Sequence, residues 1–262
     1  MTELALMGEI LARPEADAPR QEYAELLVQR GDPRGEFIKV QLRIAEIHRT
    51  QGSRAELAGL TPIQRKLLAA HQAEWGMPVS GLARKSYFYR GFVEKVELDP
   101  ETFLANAAAL YERAPILHVA LQPGQAAIRD LCQSPLLERI VSLDFNRCGI
   151  GDAGAEAIAS SSHLGRLAWL DLRYNQITKK GLEALAASKS LPRLRWLDLN
   201  FNDGFYDPAD GPDETEGDAI IHYGTSKLAK ELEERYGVLP WLHFRPADTM
   251  WLPPAPYAFE GI

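Results

Sequence analysis

The sequence predicts an α/β fold, a curved solenoid of about five strand–helix units preceded by a small all-helical module. Three observations carry this. First, Ile140–Cys148 (IVSLDFNRC), Leu167–Asn175 (LAWLDLRYN) and Leu194–Asn202 (LRWLDLNFN) share one pattern, and Leu143, Leu170 and Leu197 stand 27 residues apart. Second, other positions recur in the same phase: Asp144/Asp171/Asp198, Ile150/Ile177 and Gly154/Gly181. Self-similarity at a fixed period of this size marks units that bury their apolar faces by stacking. Third, the region ahead of the repeats has helical periodicity and helix-start signals.

From the N-terminus, LALMGEILARP reads as a helix that stops at Pro14. Asp17-Ala18-Pro19 starts a second helix, with proline at the first helical position, where its missing N–H costs nothing. That helix, PRQEYAELLVQRG, is amphipathic and closes at Gly31. Asp32-Pro33-Arg34-Gly35 reads as a turn, after which EFIKVQLRIAEI begins a third helix with Phe37, Ile38, Leu42 and Ile44 or Ile47 on its apolar side. A fourth helix, TPIQRKLLAAHQAEW, starts with Thr61 as cap and Pro62 at its first position. The predicted organisation is a helical module over 1–50, a helical connector over 51–90, repeats over 91–205 and a C-terminal region over 206–262.

Within each repeat the L-x-L core is a short strand. Alternation sends Leu170 and Leu172 inward and Trp169, Asp171 and Arg173 outward. The closing Cys148, Asn175 or Asn202 supplies a hydrogen-bonding side chain where the chain leaves the strand. Asp152 and Thr178 are placed to cap the helices AGAEAIASS and GLEALAAS, which pack Ala157/Ile158 and Leu182/Leu185/Ala186 on the strand layer. Weaker copies of the strand pattern, Val93-x-x-Val96-x-Leu98 and Ile116-x-x-Val119-x-Leu121, flank a helix ETFLANAAALYER. The unit length and the helix in each unit resemble the ribonuclease-inhibitor type of leucine-rich repeat, a curved leucine-rich-repeat solenoid with strands on its concave side.

The run DAPRQEYAELLVQRGDPRGEFIKVQL, followed by LLAAHQAEW and YRGFVEKVEL, resembles the short repeat-companion domain that precedes ribonuclease-inhibitor-like leucine-rich repeats in bacterial proteins. The resemblance covers roughly Leu4 to Asn202 and rests chiefly on GDPRGEFI. It implies an intracellular interaction scaffold and brings no catalytic residues. Arg20, Asp32, Arg34 and Glu36 match its signature. Their expected role is structural, with Arg20 or Arg34 bonding loop carbonyls and Asp32 capping the next helix; a docking surface is the alternative.

The outward strand positions are the candidate partner-binding set: Asp144, Trp169, Asp171, Arg173, Trp196, Asp198 and Asn200. Strands about 4.8 Å apart put three carboxylates in one file and Trp169 beside Trp196 in another. Stacked carboxylates repel, a cation relieves the repulsion, and an aromatic neighbour adds cation–π attraction. A basic, arginine-containing protein or peptide is therefore the expected partner. The competing reading is that L-D-L serves solubility alone. Cross-strand carboxylates without backbone carbonyls make a poor calcium cage, so no metal is expected.

Asp203 to Asp218 carries seven acids and no base among prolines and glycines, the composition of a mobile loop, with a weak cation site or a flap as alternatives. A helix from about Ser226 to Tyr236 suits a cap on the last repeat, and the Trp- and Pro-rich tail is either an arm packed on the solenoid or a segment offered to a partner. Catalytic patterns are thin. The six histidines show no H-x-x-x-H spacing, there is no nucleophile elbow, P-loop or dinucleotide fingerprint, and YGTSK lacks the glycine-rich turn a dehydrogenase needs. His118 with Asp144 is a weak acid–base pairing.

Composition agrees. With 262 residues, 46% hydrophobic, 25% charged and only 2 cysteines, the chain is an ordinary globular one and not a disulfide scaffold. A net charge of −7 argues against nucleic-acid binding, and the absence of an ~18-residue apolar run argues against a membrane span. The expected protein is cytoplasmic and non-enzymatic, with no small-molecule cofactor, binding a protein or peptide through its concave face. The alternative is an accessory protein that presents a peptide substrate to a partner enzyme; an enzyme in its own right is the least favoured reading.

Overall fold

The computed structural model describes residues 2–122, 128–202 and 227–242. The described residues form two compact units, the first from 2–97 with 106–118 and the second from 98–105 with 119–122, 128–202 and 227–242.

The first unit begins with four helices, α1 (Glu3–Ala12), α2 (Ala18–Gln29), α3 (Pro33–Thr50) and α4 (Arg54–Gly76). Asp32 caps α3 as expected, accepting the Arg34 N–H at 2.8 Å. Asp32-Pro33-Arg34-Gly35, however, is not a separate turn: Pro33 is the first residue of the helix itself. Gly35 lies where α2 and α3 cross, and a Cβ there would sit 2.6 Å from Val28 N and 2.7 Å from Ala24 O. The predicted start at Thr61 is corrected. Helix α4 is capped eight residues earlier by Ser53, whose hydroxyl accepts the Glu56 N–H at 3.2 Å, and runs through Pro62, with the Thr61 hydroxyl donating to Leu57 O at 2.8 Å. A good cap upstream and a long helix on both sides outweigh one lost backbone donor.

Strands β1 (Lys85–Tyr89) and β2 (Phe92–Leu98) form an antiparallel hairpin with Tyr89 opposite Phe92. Its two turn residues, Arg90 and Gly91, have φ of 48° and 86°, the left-handed pair that a two-residue hairpin of this hand requires. The core packs Leu6, Ile10, Tyr23, Ala24, Leu27, Ile38, Leu42 and Phe92 together, with Phe37, Leu68 and Trp75 forming a second cluster.

Beneath the hairpin turn lies a buried ionic cluster. Glu94 pairs with Arg20 at 2.8 Å and with Arg90 at 2.8 Å, and Arg90 also reaches Asp17 at 2.8 Å. Arg20 further donates to Pro14 O at 2.6 Å and Arg90 O at 3.3 Å, the carbonyl bonding expected of it. Arg20 and Arg34 both lie over the Phe92 ring. Asp17, Arg20, Arg90 and Glu94 thus tie the loop after α1 to the β-hairpin.

Helix α5 (Pro100–Arg113) and strand β3 (His118–Leu121) follow. The second unit continues with α6 (Ile128–Cys132), β4 (Ser142–Asp144), α7 (Gly151–Ser160), β5 (Trp169–Asp171), α8 (Lys179–Ala187), β6 (Trp196–Asp198) and α9 (Lys227–Tyr236). Strands β4, β5 and β6 are parallel and in register, with Leu143, Leu170 and Leu197 aligned. Ile140/Leu167/Leu194, Leu143/Leu170/Leu197 and Phe145/Leu172/Leu199 are three buried files at the same 27-residue step. Each such side chain contributes about 1.5–3 kcal/mol on burial.

Polar side chains stitch the repeats together. Asn175 donates to Phe145 O at 2.9 Å and Arg173 O at 3.1 Å and accepts the Ile150 N–H at 3.3 Å. Asn202 donates to Leu172 O at 2.7 Å and accepts from the backbone of Asn175 and Ile177 at 2.8 and 3.0 Å. Cys148 fills the same position with a weaker donor, its thiol 3.3 Å from Leu121 O. At the C-terminal ends of α7 and α8 a second set recurs, reaching into the preceding unit: Ser161 donates to Cys132 O and Ser188 to Ala159 O, each at 2.5 Å.

Thr178 caps α8, accepting the Lys180 N–H. Asp152 is corrected: it does not cap its own helix, which starts at Gly151, but reaches the next one, accepting the Thr178 and Gly181 N–H groups at 2.8 and 3.0 Å and the Thr178 hydroxyl at 2.7 Å. The recurrence of Gly181 follows, because a Cβ there would lie 2.6 Å from Asp152 Oδ1 and 2.7 Å from Ile177 Cγ2. At the C-terminal end α9 stops at Gly237 with φ 85°, and the 3₁₀ turn Pro240–Leu242 packs beside β6. The acidic run 203–218, YGTSK and the tail beyond 242 lie outside the described residues.

Candidate functional site

The alternation of β4–β6 places the candidate residues on one strand face. Asp144, Asp171 and Asp198 are cross-strand neighbours, as are Trp169 and Trp196, whose rings stack 4.1 Å apart and within 3° of parallel. The expectation that this face lies open to solvent does not hold. Trp169, Asp171, Trp196, Asp198 and Asn200 are buried; Asp144 and Arg173 are half-buried.

The aspartates have a local role that the sequence pattern did not announce. In each repeat Oδ1 accepts the backbone N–H two residues on, at 3.0 Å in all three cases: Asp144 from Asn146, Asp171 from Arg173, Asp198 from Asn200. This bond turns the chain off the strand. It uses Oδ1 of each carboxylate.

Arg173 fills part of that remaining demand. Its guanidinium holds Asp171 at 2.6–3.0 Å through Nε and Nη2. The same Nε is 3.4 Å from Asp198 Oδ2, but its hydrogen is directed at Asp171, so Asp198 receives attraction without a hydrogen bond. Among the described residues, Asp198 Oδ2, Asn200 Oδ1, Asn146 Oδ1 and the Trp169 indole N–H are buried with no hydrogen-bond partner. Buried polar atoms without partners are rare, and four on the end of one small sheet are notable. Burial pushes the Asp198 carboxyl up to about 7; repulsion from Asp171 and Asp144 adds to this, and the Asn200 N–H and Arg173 oppose it.

Other reactive groups are insulated. Burial pushes the thiols of Cys132 and Cys148 up to about 12, with Asp144 and Asp171 adding to the effect at Cys148. His118 is fully buried and held neutral, by desolvation first and by Arg90 and Lys95 second. Among the described residues no group of His, Cys, Asp and Glu is arranged to hold a metal ion, and no helix is long and apolar enough to cross a membrane.

With this geometry in view, comparison with known proteins is specific about one region. A family model described as leucine-rich repeat matches residues 140–159 and 170–186. The chain carries leucine-rich repeats, which generally mediate protein–protein binding and are usually not enzymatic. No curated protein and no solved structure matches it.

Arg147, Tyr174 and Phe201 were not among the predicted site residues. They occupy one repeat position, each just before the closing Cys148, Asn175 or Asn202, and they are the exposed side chains next to the buried face. The signal was available in their 27-residue spacing, but three different residue types concealed it.

Proposed function

We propose that this chain is a non-enzymatic scaffold, a leucine-rich-repeat solenoid that recognises a basic segment of a protein or peptide through the strand ends of β4–β6. One observation carries the reading: three stacked carboxylates share a face on which Arg173 neutralises Asp171 and leaves the second oxygen of buried Asp198 without a hydrogen bond. A guanidinium or ammonium group from a partner supplies the missing donors, and a charged donor to a carboxylate makes a strong hydrogen bond. Since Asp198 and Trp196 are buried, the partner's cation reaches them by local opening near β6, where Pro240–Leu242 packs.

The test is titration of the full chain with a fluorescent nonapeptide rich in arginine and with its glutamate counterpart, between pH 5.5 and 8.5. A cation binds the ionised carboxylate, so affinity for the arginine peptide should rise as pH passes about 7, and Asp198→Asn should remove that rise. Equal binding of the two peptides, or a pH dependence that Asp198→Asn leaves intact, counts against the reading.

A further inference from the structure

The side chains of Arg147, Tyr174 and Phe201 form a continuous stack. The Arg147 guanidinium lies 4.5 Å from the centre of the Tyr174 ring, and the Tyr174 and Phe201 rings are 4.2 Å apart and within 4° of parallel. All three residues have left-handed backbones, with φ of 60°, 56° and 59°. Such a conformation is uncommon for any residue with a Cβ and a genuine outlier for a bulky one.

Tyr174 is 37% and Phe201 66% exposed. Two costs therefore fall on the same positions, a disfavoured backbone and apolar rings in water, and glycine or asparagine would avoid both. Strained residues of this kind cluster where a surface has work to perform. One face of the Phe201 ring lies against Tyr174, and among the described residues no further ring or cation extends the stack from its other face.

We infer that this stack is a docking surface for an arginine-bearing segment of a protein partner, whose guanidinium continues the ladder on the outer face of Phe201. The stack already accepts this group at its other end, where Arg147 lies over Tyr174. The chain's net charge of −7 favours a cationic visitor and opposes a polyanion, although a nucleobase would also stack on an exposed ring. The inference rests on the reading of the repeats as a scaffold for a basic partner, and it adds an anchoring contact on the exposed rim beside the buried aspartates.

The experiment uses the full chain and four fluorescent probes: a glycine-spaced arginine peptide, the same peptide with lysine, the same peptide with citrulline, and a 12-nucleotide single-stranded DNA. The arginine peptide should bind most tightly. Phe201→Ala should weaken it about two- to five-fold, the scale of one exposed cation–π contact, and Phe201→Trp should restore or exceed the wild-type affinity. In proton NMR the peptide's arginine side-chain protons should shift upfield with the wild type and not with Phe201→Ala. Tighter binding of the DNA than of the arginine peptide overturns the inference. So does arginine-peptide binding that is unchanged in Phe201→Ala; if Asp198→Asn still weakens that binding, the strand-face reading survives alone. Absence of saturable arginine-peptide binding by the wild type overturns both.

Discussion

Replacing Asp198 by asparagine is the most informative single perturbation. The carboxyl is completely buried, lies across from Asp171 and has its proton affinity raised from 3.8 to about 7. Three pKa units correspond to about 4 kcal/mol. Between pH ~4 and ~7 the unfolded chain has released this proton while the folded chain retains it, so the folded state binds more protons and stability falls as pH rises. The contribution is fully present below about pH 4 and is gone above about pH 7. The substituted amide would keep the acceptor for the Asn200 N–H but carry no charge. Its extra N–H donors have no acceptor assigned to them, which offsets part of the gain. Asp198→Asn should therefore be about 2–3 kcal/mol more stable than wild type at pH 8.5 and about equal to it at pH 4.5. Urea denaturation followed by the fluorescence of the Trp169–Trp196 pair measures this at several pH values, and taking the difference between the two proteins cancels the titration of all other groups. Parallel stability curves would refute the argument, because they would mean that Asp198 is ionised in the fold at little cost.

Three further outcomes follow from contacts elsewhere. Arg20→Met leaves buried Glu94 with Arg90 alone, so it should cost about 3–5 kcal/mol in urea denaturation, and Arg20→Lys should not restore the loss because one ammonium cannot reach Glu94, Pro14 O and Arg90 O together. Asn175→Ala removes the acceptor of the Ile150 N–H and one of two donors from Phe145 O and from Arg173 O, which keep the Cys148 and Arg147 N–H groups; it should cost about 1–3 kcal/mol, detected as faster amide hydrogen exchange at Ile150. His118 is held neutral in the fold, so it adds stability above its ordinary value near 6.5 that is lost as pH falls below it; His118→Gln should flatten that acid limb in thermal melts between pH 4 and 7.

The repeats were legible because their core positions obey one rule at one period: Leu143, Leu170 and Leu197 are apolar, buried and in register. Helix caps that act locally were also readable, as Asp32 and Thr178 show. The role of Asp152 is not legible locally because its partners lie in the next repeat, a contact no local rule contains. The start of α4 differs from the local signal at Thr61-Pro62 because the competing Ser53 cap depends on a helix long enough to absorb the proline. The largest difference is the burial of the strand face at Trp169, Asp171, Trp196 and Asp198. Alternation tells which side of a strand a residue occupies and not how deeply that side is buried. The left-handed ladder of Arg147, Tyr174 and Phe201 escaped notice because propensity rules assign that conformation to glycine and asparagine.

The in-phase asparagine, serine and aspartate bonds have a consequence for how such a chain changes length. Each closing side chain addresses backbone one period away, so the bonds of Asn202 to Leu172 and of Ser188 to Ala159 belong to the spacing and not to either repeat. Excising or duplicating a whole 27-residue register rejoins equivalent donors to equivalent acceptors at the new seam. A shift of one residue within a strand instead turns every leucine in it to the wrong face and detaches both ladders together. Small insertions and deletions are therefore confined to the connections between elements, and the repeat region grows or shrinks in whole units.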